Sequence, residues 1–394
     1  MWIELGLAVL GVFAGVFTGL TPGIHPNTVI FTSLPFYLGS SIEFMYYLSF
    51  IAGLSVSHTF HDFLPSIFLG VPEAETALAS VAGADMANEG KGIEAFHYTV
   101  LGGSISVIVM IMLSPLLILF LPYFYKLVNP VMFYVLVFFQ LVLVFNSEGI
   151  LKAGITAILS GILGLIAFSM PVNSQNVLMP VFAGLFAVPT FLSSFKPVLE
   201  EQETPNMEGG FLKGSFFGTL AGLITGIVPG VTGVVSTSFF TPFMEKRTES
   251  FLAAMGAVNT SDILISFLGL YLIEKARSGA AVAMSSAAKF NDLQLFFLIG
   301  VSLTAIGLSI PVALKTPPYF LKLLEWANLR IVLIVVLGLL LSSTFFLTGF
   351  LGLLILLVSS CIGYSAALSS QRKVLVSVLL VPSITYFAAN GFFI

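Results

Sequence analysis

The stretch Gly11-Val-Phe-Ala-Gly15-Val-Phe-Thr-Gly19-Leu-Thr-Pro22-Gly23 occurs twice in this chain of 394 residues. Its second copy is Gly218-Thr-Leu-Ala-Gly222-Leu-Ile-Thr-Gly226-Ile-Val-Pro229-Gly230, so the matched glycines and prolines lie 207 residues apart. Four-residue spacing places the glycines on one face of a helix, where a neighbouring backbone can approach closely. Proline then breaks the helix. Paired broken helices in the two halves of a membrane chain indicate the binding site of a transporter.

The composition places this chain in a membrane. Apolar residues make up 57% of it and charged residues only 9%, against about 25% charged residues in a soluble domain. We therefore predict an all-α polytopic membrane protein surrounded by membrane lipids. The net charge of −4 gives no basic surface for nucleic acid, and a single cysteine excludes an internal disulfide. We expect no metal site and no cofactor. We also expect no enzymatic activity, because no catalytic set of residues stands together in the sequence.

The apolar segments suggest two related halves. About 10–12 segments are long enough to cross or enter the bilayer, and the pieces near 26–40, 63–82, 231–244 and 279–288 are short or broken, as expected for re-entrant or half-helices. Residues 195–212 hold two prolines, two glycines and four glutamates and read as a linker. We predict repeat halves at 1–194 and 213–394 on either side of it.

Polar residues follow each Pro-Gly break, where a new helix is expected to begin. A helix N-terminus favours an anion, because its backbone N–H groups have no partner within the helix. We expect the two Pro-Gly tips, at 22–28 and 229–237, to face each other near the middle of the membrane, with the segments at 70–77 and 259–262 beside them. The predicted substrate-binding residues are Pro22, Gly23, His25, Asn27, Thr28, Pro72, Thr76, Pro229, Gly230, Thr232, Gly233, Ser236 and Thr237. The alternative is that the glycine faces serve helix packing alone.

A second set of residues could couple transport to an ion gradient. The stretch His61-Asp62-Phe-Leu-Pro-Ser-Ile-Phe-Leu-Gly70 resembles Ser261-Asp262-Ile-Leu-Ile-Ser-Phe-Leu-Gly269, which aligns Asp62 with Asp262. Ionisable residues inside a membrane are costly and point to function. Carboxylates with Asn and Thr oxygens could bind Na⁺, whereas a carboxylate beside a histidine could carry a proton. The same residues could also be helix caps. The predicted coupling residues are His61, Asp62, Asn259, Thr260 and Asp262.

Lys275 and Arg277 are the candidates for neutralising an anion in the second half. The alternative is that their long side chains reach the interface and set the topology.

The chain resembles the large membrane subunit of the tripartite tricarboxylate transporters. The resemblance rests on the two glycine runs and on Ile67-Phe-Leu-Gly-Val-Pro72-Glu-Ala-Glu-Thr76, continuing to Ala95, although Glu73 stands where the family has glycine after proline. It implies a secondary transporter of small organic anions in the cell membrane, driven by a Na⁺ or proton gradient. It also implies a small membrane subunit and a binding protein as partners.

A shorter motif supports an alternative function. Pro229-Gly-Val-Thr-Gly233 is similar to the Pro-Gly-Val-Ser-Gly motif of membrane proteins that flip polyprenyl-phosphate lipid carriers. A phosphate at a broken-helix terminus would use the same backbone N–H groups. The alternative is therefore a polyprenyl-phosphate translocase.

Overall fold

A computed structural model describes residues 2–22, 24–71, 76–172, 174–193, 201–207, 209–288, 290–326 and 329–391. Within these ranges the chain is helical and forms no β-strand, which confirms the predicted all-α fold. The helices up to the linker are α1 Trp2–Leu20, α2 Pro26–Leu38, α3 Phe44–His61, α4 Phe63–Leu69, α5 Ala77–Asn88, α6 Gly92–Val128, α7 Met132–Phe145, α8 Ile150–Ser169, α9 Ser174–Phe182 and α10 Val188–Ser193. Those after it are α11 Phe211–Ile227, α12 Gly233–Phe240, α13 Thr248–Leu272, α14 Gly279–Ala287, α15 Asp292–Trp326, α16 Leu329–Leu368 and α17 Ser377–Gly391.

The chain is a multi-pass membrane protein. Seven helical stretches of the described residues are long and apolar enough to cross a membrane, and two shorter apolar helices, Asn176–Ala187 and Phe211–Ile227, accompany them. The predicted number of 10–12 is larger than seven because it also counted shorter segments that enter the bilayer without crossing it. The four pieces expected to be short or broken are indeed short helices, namely α2, the pair α4 and α5, α12 and α14.

Two further irregularities lie among the later helices. A π-helix, Ala183–Ala187, separates α9 from α10, and α16 is interrupted at Gly349, whose φ of 66° lies in the left-handed region. Single π-helical turns are often found at functional sites. Gly184 in the π-helix packs against the backbone of α16, because a Cβ there would lie 2.6 Å from the Leu356 carbonyl oxygen.

The glycine runs serve close packing, as their spacing indicates. A Cβ placed on Gly11 would overlap the carbonyl oxygen of Phe50 on α3, and one on Gly218 would overlap that of Ala254 on α13. Gly53 of α3 makes the reverse contact with Ala8 of α1. The backbones of α1 and α3, and of α11 and α13, therefore touch without side chains between them.

These contacts repeat, but in a register that corrects one sequence alignment. The carbonyl oxygens of His58 and Asp262 each lie 3.2 Å from the Cβ position of their partner glycine, Gly19 and Gly226. His58 and Asp262 are 204 residues apart, whereas the sequence alignment paired Asp62 with Asp262 at an offset of 200. Two more equivalent positions show the same offset of 204. Phe50 and Ala254 contact Gly11 and Gly218, and Leu54 and Val258 contact Gly15 and Gly222.

Asp262 thus takes the packing position of His58, one helical turn before that of Asp62. Beyond this point the two segments differ, since the first breaks at Asp62, between α3 and α4, while α13 runs on unbroken to Leu272. The division of the chain into two repeat halves remains a prediction.

The described part of the linker is attached to the turn between α5 and α6. The Gly92 N–H donates to Gln202 Oε1 at 2.7 Å, and Gln202 Nε2 donates to the Ala87 carbonyl at 3.0 Å. The Glu203 N–H donates to the Gly90 carbonyl at 2.8 Å. Residues 201–207 are non-helical, as their composition indicates.

The crossing of α6 and α13 gives a stability prediction. A Cβ on Gly102 would overlap the Ala253 carbonyl oxygen, and one on Gly256 would overlap that of Thr99. We expect Gly256→Ala to destabilise the protein by about 1–3 kcal/mol, because overpacking forces the backbones apart. Thermal unfolding in detergent measures the effect. Gly154→Ala is the matched control, since no atom lies within 4 Å of its Cβ position. Equal unfolding temperatures for the two variants would contradict this account.

Candidate functional site

A cavity of about 540 Å³ opens beside the first Pro-Gly break. Its walls come from the α1–α2 connection, the end of α3, the middle of α13, the start of α14, and parts of α9 and α16. Seven of the predicted site residues line it: Pro22, His25, Asn27, Thr28, Asp62, Asn259 and Asp262. Gly23 and Pro72 lie outside the described residues.

The first tip begins α2 with an ordered cap. His25 Nδ1 accepts a hydrogen bond from the Asn27 N–H at 3.1 Å, and the His25 carbonyl accepts one from the Thr28 N–H at 2.9 Å. Pro26 occupies the first helical position, where its missing N–H costs nothing. This arrangement presents the Asn27 and Thr28 side chains to the cavity.

A second helix N-terminus, that of α14, meets the first. Ser278 caps α14, since its Oγ accepts a hydrogen bond from the Ala281 N–H at 3.2 Å. A Cβ on Gly279 would overlap the Asn27 amide, so the two helix starts are in contact. Ser278, Gly279 and Ala280 all line the cavity. Each helix start carries roughly half a positive charge, so together they favour an anion between them.

Arg277, just before α14, adds a full positive charge to this wall. Its Nη2 donates to the Tyr125 hydroxyl at 3.3 Å, and its buried Nε has no hydrogen-bond partner among the described residues. Arg277 lines the cavity, whereas the neighbouring Lys275 is exposed and does not. Of the two cations that the sequence offered for anion binding, Arg277 is the one at the cavity.

Asp62 is held at the other side of the cavity by residues of two helices. Asn259 Nδ2 donates to Asp62 Oδ2 at 2.9 Å, and His58 Nε2 lies 3.9 Å from the same oxygen. His58 Nδ1 is 3.0 Å from Thr18 Oγ1, and its ring centroid is 5.6 Å from that of His25. Asp62, His58 and Asn259 are each about 95% buried or more, so a carboxylate, an imidazole and an amide form one buried polar cluster.

Asp262 lines the same cavity from α13. Its Oδ1 lies 3.0 Å from the Cβ position of Gly226, at the end of α11. Among the described residues, none donates a hydrogen bond to its carboxylate and none forms an ion pair with it. The cavity therefore contains one carboxylate with protein partners and one open to a bound ion.

Two predicted coupling residues lie away from the cavity lining. His61 points into the α1–α3 interface, where its Nδ1 is 2.8 Å from the Ser57 carbonyl oxygen. Thr260 packs against Gly103 of α6. The histidine at the carboxylate is His58, one turn earlier than the residue that the sequence alignment favoured.

The second Pro-Gly tip also differs from the expectation. None of its described residues lines the cavity: Pro229, Gly230, Thr232, Gly233, Ser236 and Thr237 are all outside the lining. Gly230, with φ of 75°, lies against Ser383 of α17, and Ser236 Oγ is 2.7 Å from Thr225 Oγ1. The tip is thus turned toward α17 and α11, and the start of α14 faces the first tip in its place.

Thr76 is also absent from the lining. Its Oγ1 is 2.9 Å from Ser66 Oγ, a contact that joins the start of α5 to α4.

Membrane transporters have sites of this kind. The cavity lies within a multi-pass helical bundle, and its lining contains two helix starts, a guanidinium and two carboxylates. The chain matches the family model described as "Tripartite tricarboxylate transporter TctA family" over residues 5–376 and belongs to that family. It is also similar to an uncharacterized protein of Methanocaldococcus jannaschii, with 28% identity over 404 aligned residues that cover 98% of this chain and 99% of the relative. No solved structure matches it.

Membership of the family makes the chain a component of a tricarboxylate transporter system, which points to transport rather than enzymatic activity. It also implies the two partners of a tripartite system, a small membrane subunit and a binding protein.

Proposed function

We propose that this chain is the membrane subunit of a secondary transporter that moves small organic carboxylates, driven by a cation gradient. The observation that carries the proposal is the single cavity that joins an anion-binding wall, formed by Arg277 and the starts of α2 and α14, to two carboxylates, Asp62 and Asp262. Coupled transport needs a site for the substrate and a site for the cation close together. This cavity offers both.

The anion half of the proposal rests on Arg277. Its planar guanidinium can bind a carboxylate through two parallel N–H donors, and among the described residues its one hydrogen bond is that from Nη2 to the Tyr125 hydroxyl. The Asn27 amide and the first turn of α14 lie beside it. Hydrogen bonds to charged groups contribute about 1.5–3 kcal/mol each, so a few such contacts give the affinity of a transported metabolite.

The cation half rests on the two carboxylates. Asp262 shares the cavity lining with Ser55, Thr59 and Asn259, and their oxygens are ligands of the kind that Na⁺ takes. Asp62 beside His58 instead offers a place for a proton. Either cation would remove a negative charge from the cavity and so favour entry of the anionic substrate. We propose that the binding protein delivers the substrate to this subunit in the cell membrane.

Reconstitution tests the proposal directly. The chain is placed in liposomes with its small membrane subunit and binding protein, and uptake of labelled carboxylates is measured with and without a Na⁺ or proton gradient. We expect accumulation that depends on one of the two gradients. Equilibration without accumulation, under either gradient, would contradict the secondary-transport proposal.

A lipid-flipping assay on the same liposomes addresses the polyprenyl-phosphate alternative. The motif that suggested it, Pro229 to Gly233, does not line the cavity. We therefore expect no acceleration of polyprenyl-phosphate flipping. Faster flipping without carboxylate uptake would favour the alternative.

A further inference from the structure

The cavity has a second wall of opposite character, which the proposed function does not use. On this side the lining comes from α9, the following π-helix and α16. Its apolar members are Leu178, Met179, Phe182, Ala183, Ala187, Leu340 and Leu347. The wall faces a cavity much larger than a carboxylate group needs.

The polar residue of this wall is already engaged. Asn176 Nδ2 donates to the Leu347 carbonyl at 3.4 Å, close to the interruption of α16 at Gly349. This hydrogen bond satisfies a backbone group near the break. The remainder of the wall offers a ligand apolar surface.

The charges of the lining limit the number of carboxylates that it can accept. Among the described residues, Arg277 is the permanent cation of the lining, which also contains two carboxylates, those of Asp62 and Asp262. His25 Nδ1 accepts a hydrogen bond from a backbone N–H, which keeps that nitrogen unprotonated. His58 is paired with Asp62. One guanidinium can bind one substrate carboxylate. A second or third carboxylate would meet no permanent cation among the described residues of the lining and would lie in a cavity that already holds like charges.

We infer that the substrate of this cavity is a carboxylate with one charged head and an apolar body, and that a tricarboxylate is a poor ligand. The head lies at Arg277 and the starts of α2 and α14, and the body lies against the wall formed by α9 and α16. This inference rests on the proposed function and specifies its substrate class.

A ligand series distinguishes the two classes. Acetate, butyrate, hexanoate, succinate and citrate are titrated against the purified full chain in nanodiscs, and affinity is read from the ligand-dependent rise in unfolding temperature. We expect Kd to fall by up to about fourfold for each methylene that the wall covers. Hexanoate should bind at least about tenfold more tightly than citrate, because each methylene is buried and each extra carboxylate is unpaired.

Two matched leucine variants test the wall itself. Leu347 lines the cavity, and Leu351, four residues further along and beyond the interruption at Gly349, is exposed outside it. We expect Leu347→Ala to weaken hexanoate binding about tenfold and to leave acetate binding unchanged, since acetate does not reach the wall. Leu351→Ala should bind both as the unmodified chain does. Leu178→Ala on α9 makes the same test if Leu347→Ala does not fold.

The outcomes separate this inference from the proposed function. Citrate binding as tight as hexanoate, or tighter, would overturn the inference and leave the proposed transport of carboxylates standing. Affinity independent of chain length would do the same. If no member of the series binds, the proposed function fails and the inference fails with it.

Discussion

Asp62→Asn is expected to abolish gradient-driven accumulation of substrate in reconstituted liposomes. Asparagine keeps the size of the side chain and still hydrogen-bonds to Asn259, but it can neither carry a proton nor neutralise a bound cation. Asp262→Asn should have the same effect, because its carboxylate lines the cavity and no described residue donates a hydrogen bond to it or forms an ion pair with it. Both variants should insert and fold, since each substitution removes a costly charge from the membrane interior.

The control is Asp85→Asn, because Asp85 is exposed on α5 and does not line the cavity. It should accumulate substrate normally. His58→Gln distinguishes the two coupling cations: it should stop transport if the cation is a proton shared with Asp62, and should reduce it only modestly if the cation is Na⁺. Normal accumulation by both Asn variants would show that the coupling site lies elsewhere.

Arg277→Gln is expected to weaken carboxylate binding by about 2–5 kcal/mol, which is roughly 30-fold or more in Kd. The substitution removes the permanent cation that the described lining supplies. Arg277→Lys should recover part of the affinity, because it restores the charge but not the two parallel donors. Titration of the ligand series measures both effects.

Lys275→Gln is the matched control for this prediction. Lys275 is two residues away, carries the same charge and is exposed outside the cavity. Its loss should leave Kd within about twofold of the original value, because exposed charges are screened. Equal losses of affinity in Arg277→Gln and Lys275→Gln would mean that the substrate does not bind at the guanidinium.

The helical breaks could be predicted from the sequence because their causes are local. Proline and glycine interrupt helices wherever they stand in an apolar run, and the short segments at 26–40, 63–82, 231–244 and 279–288 were found on that basis. The glycine spacing also predicted the packing face, since a four-residue repeat marks one side of a helix. The interruption of α16 at Gly349 could not be foreseen, because many glycines in this chain lie within straight helices.

The site was predictable only in part, because it depends on which helix ends meet. Asp62, Asp262 and Asn259 could be found from their polarity in an apolar chain. The pairing of the first tip with α14, rather than with the second Pro-Gly tip, depends on tertiary packing that local sequence does not encode. The choice of His58 over His61 required the register of the helix contacts, which pairs His58, and not Asp62, with Asp262.

The contacts between glycine-bearing helices have a consequence for how the cavity can be exposed to each side of the membrane. Helices whose backbones touch cannot slide or tilt past one another without first separating, so α1 with α3, and α6 with α11 and α13, are each expected to move as a rigid unit. We expect alternating access to use the opposite wall of the cavity, where the π-helix after α9 and the interruption at Gly349 supply the hinge points. Distances between spin labels on α16 and α13 should change during the transport cycle, while those between α1 and α3 should stay fixed.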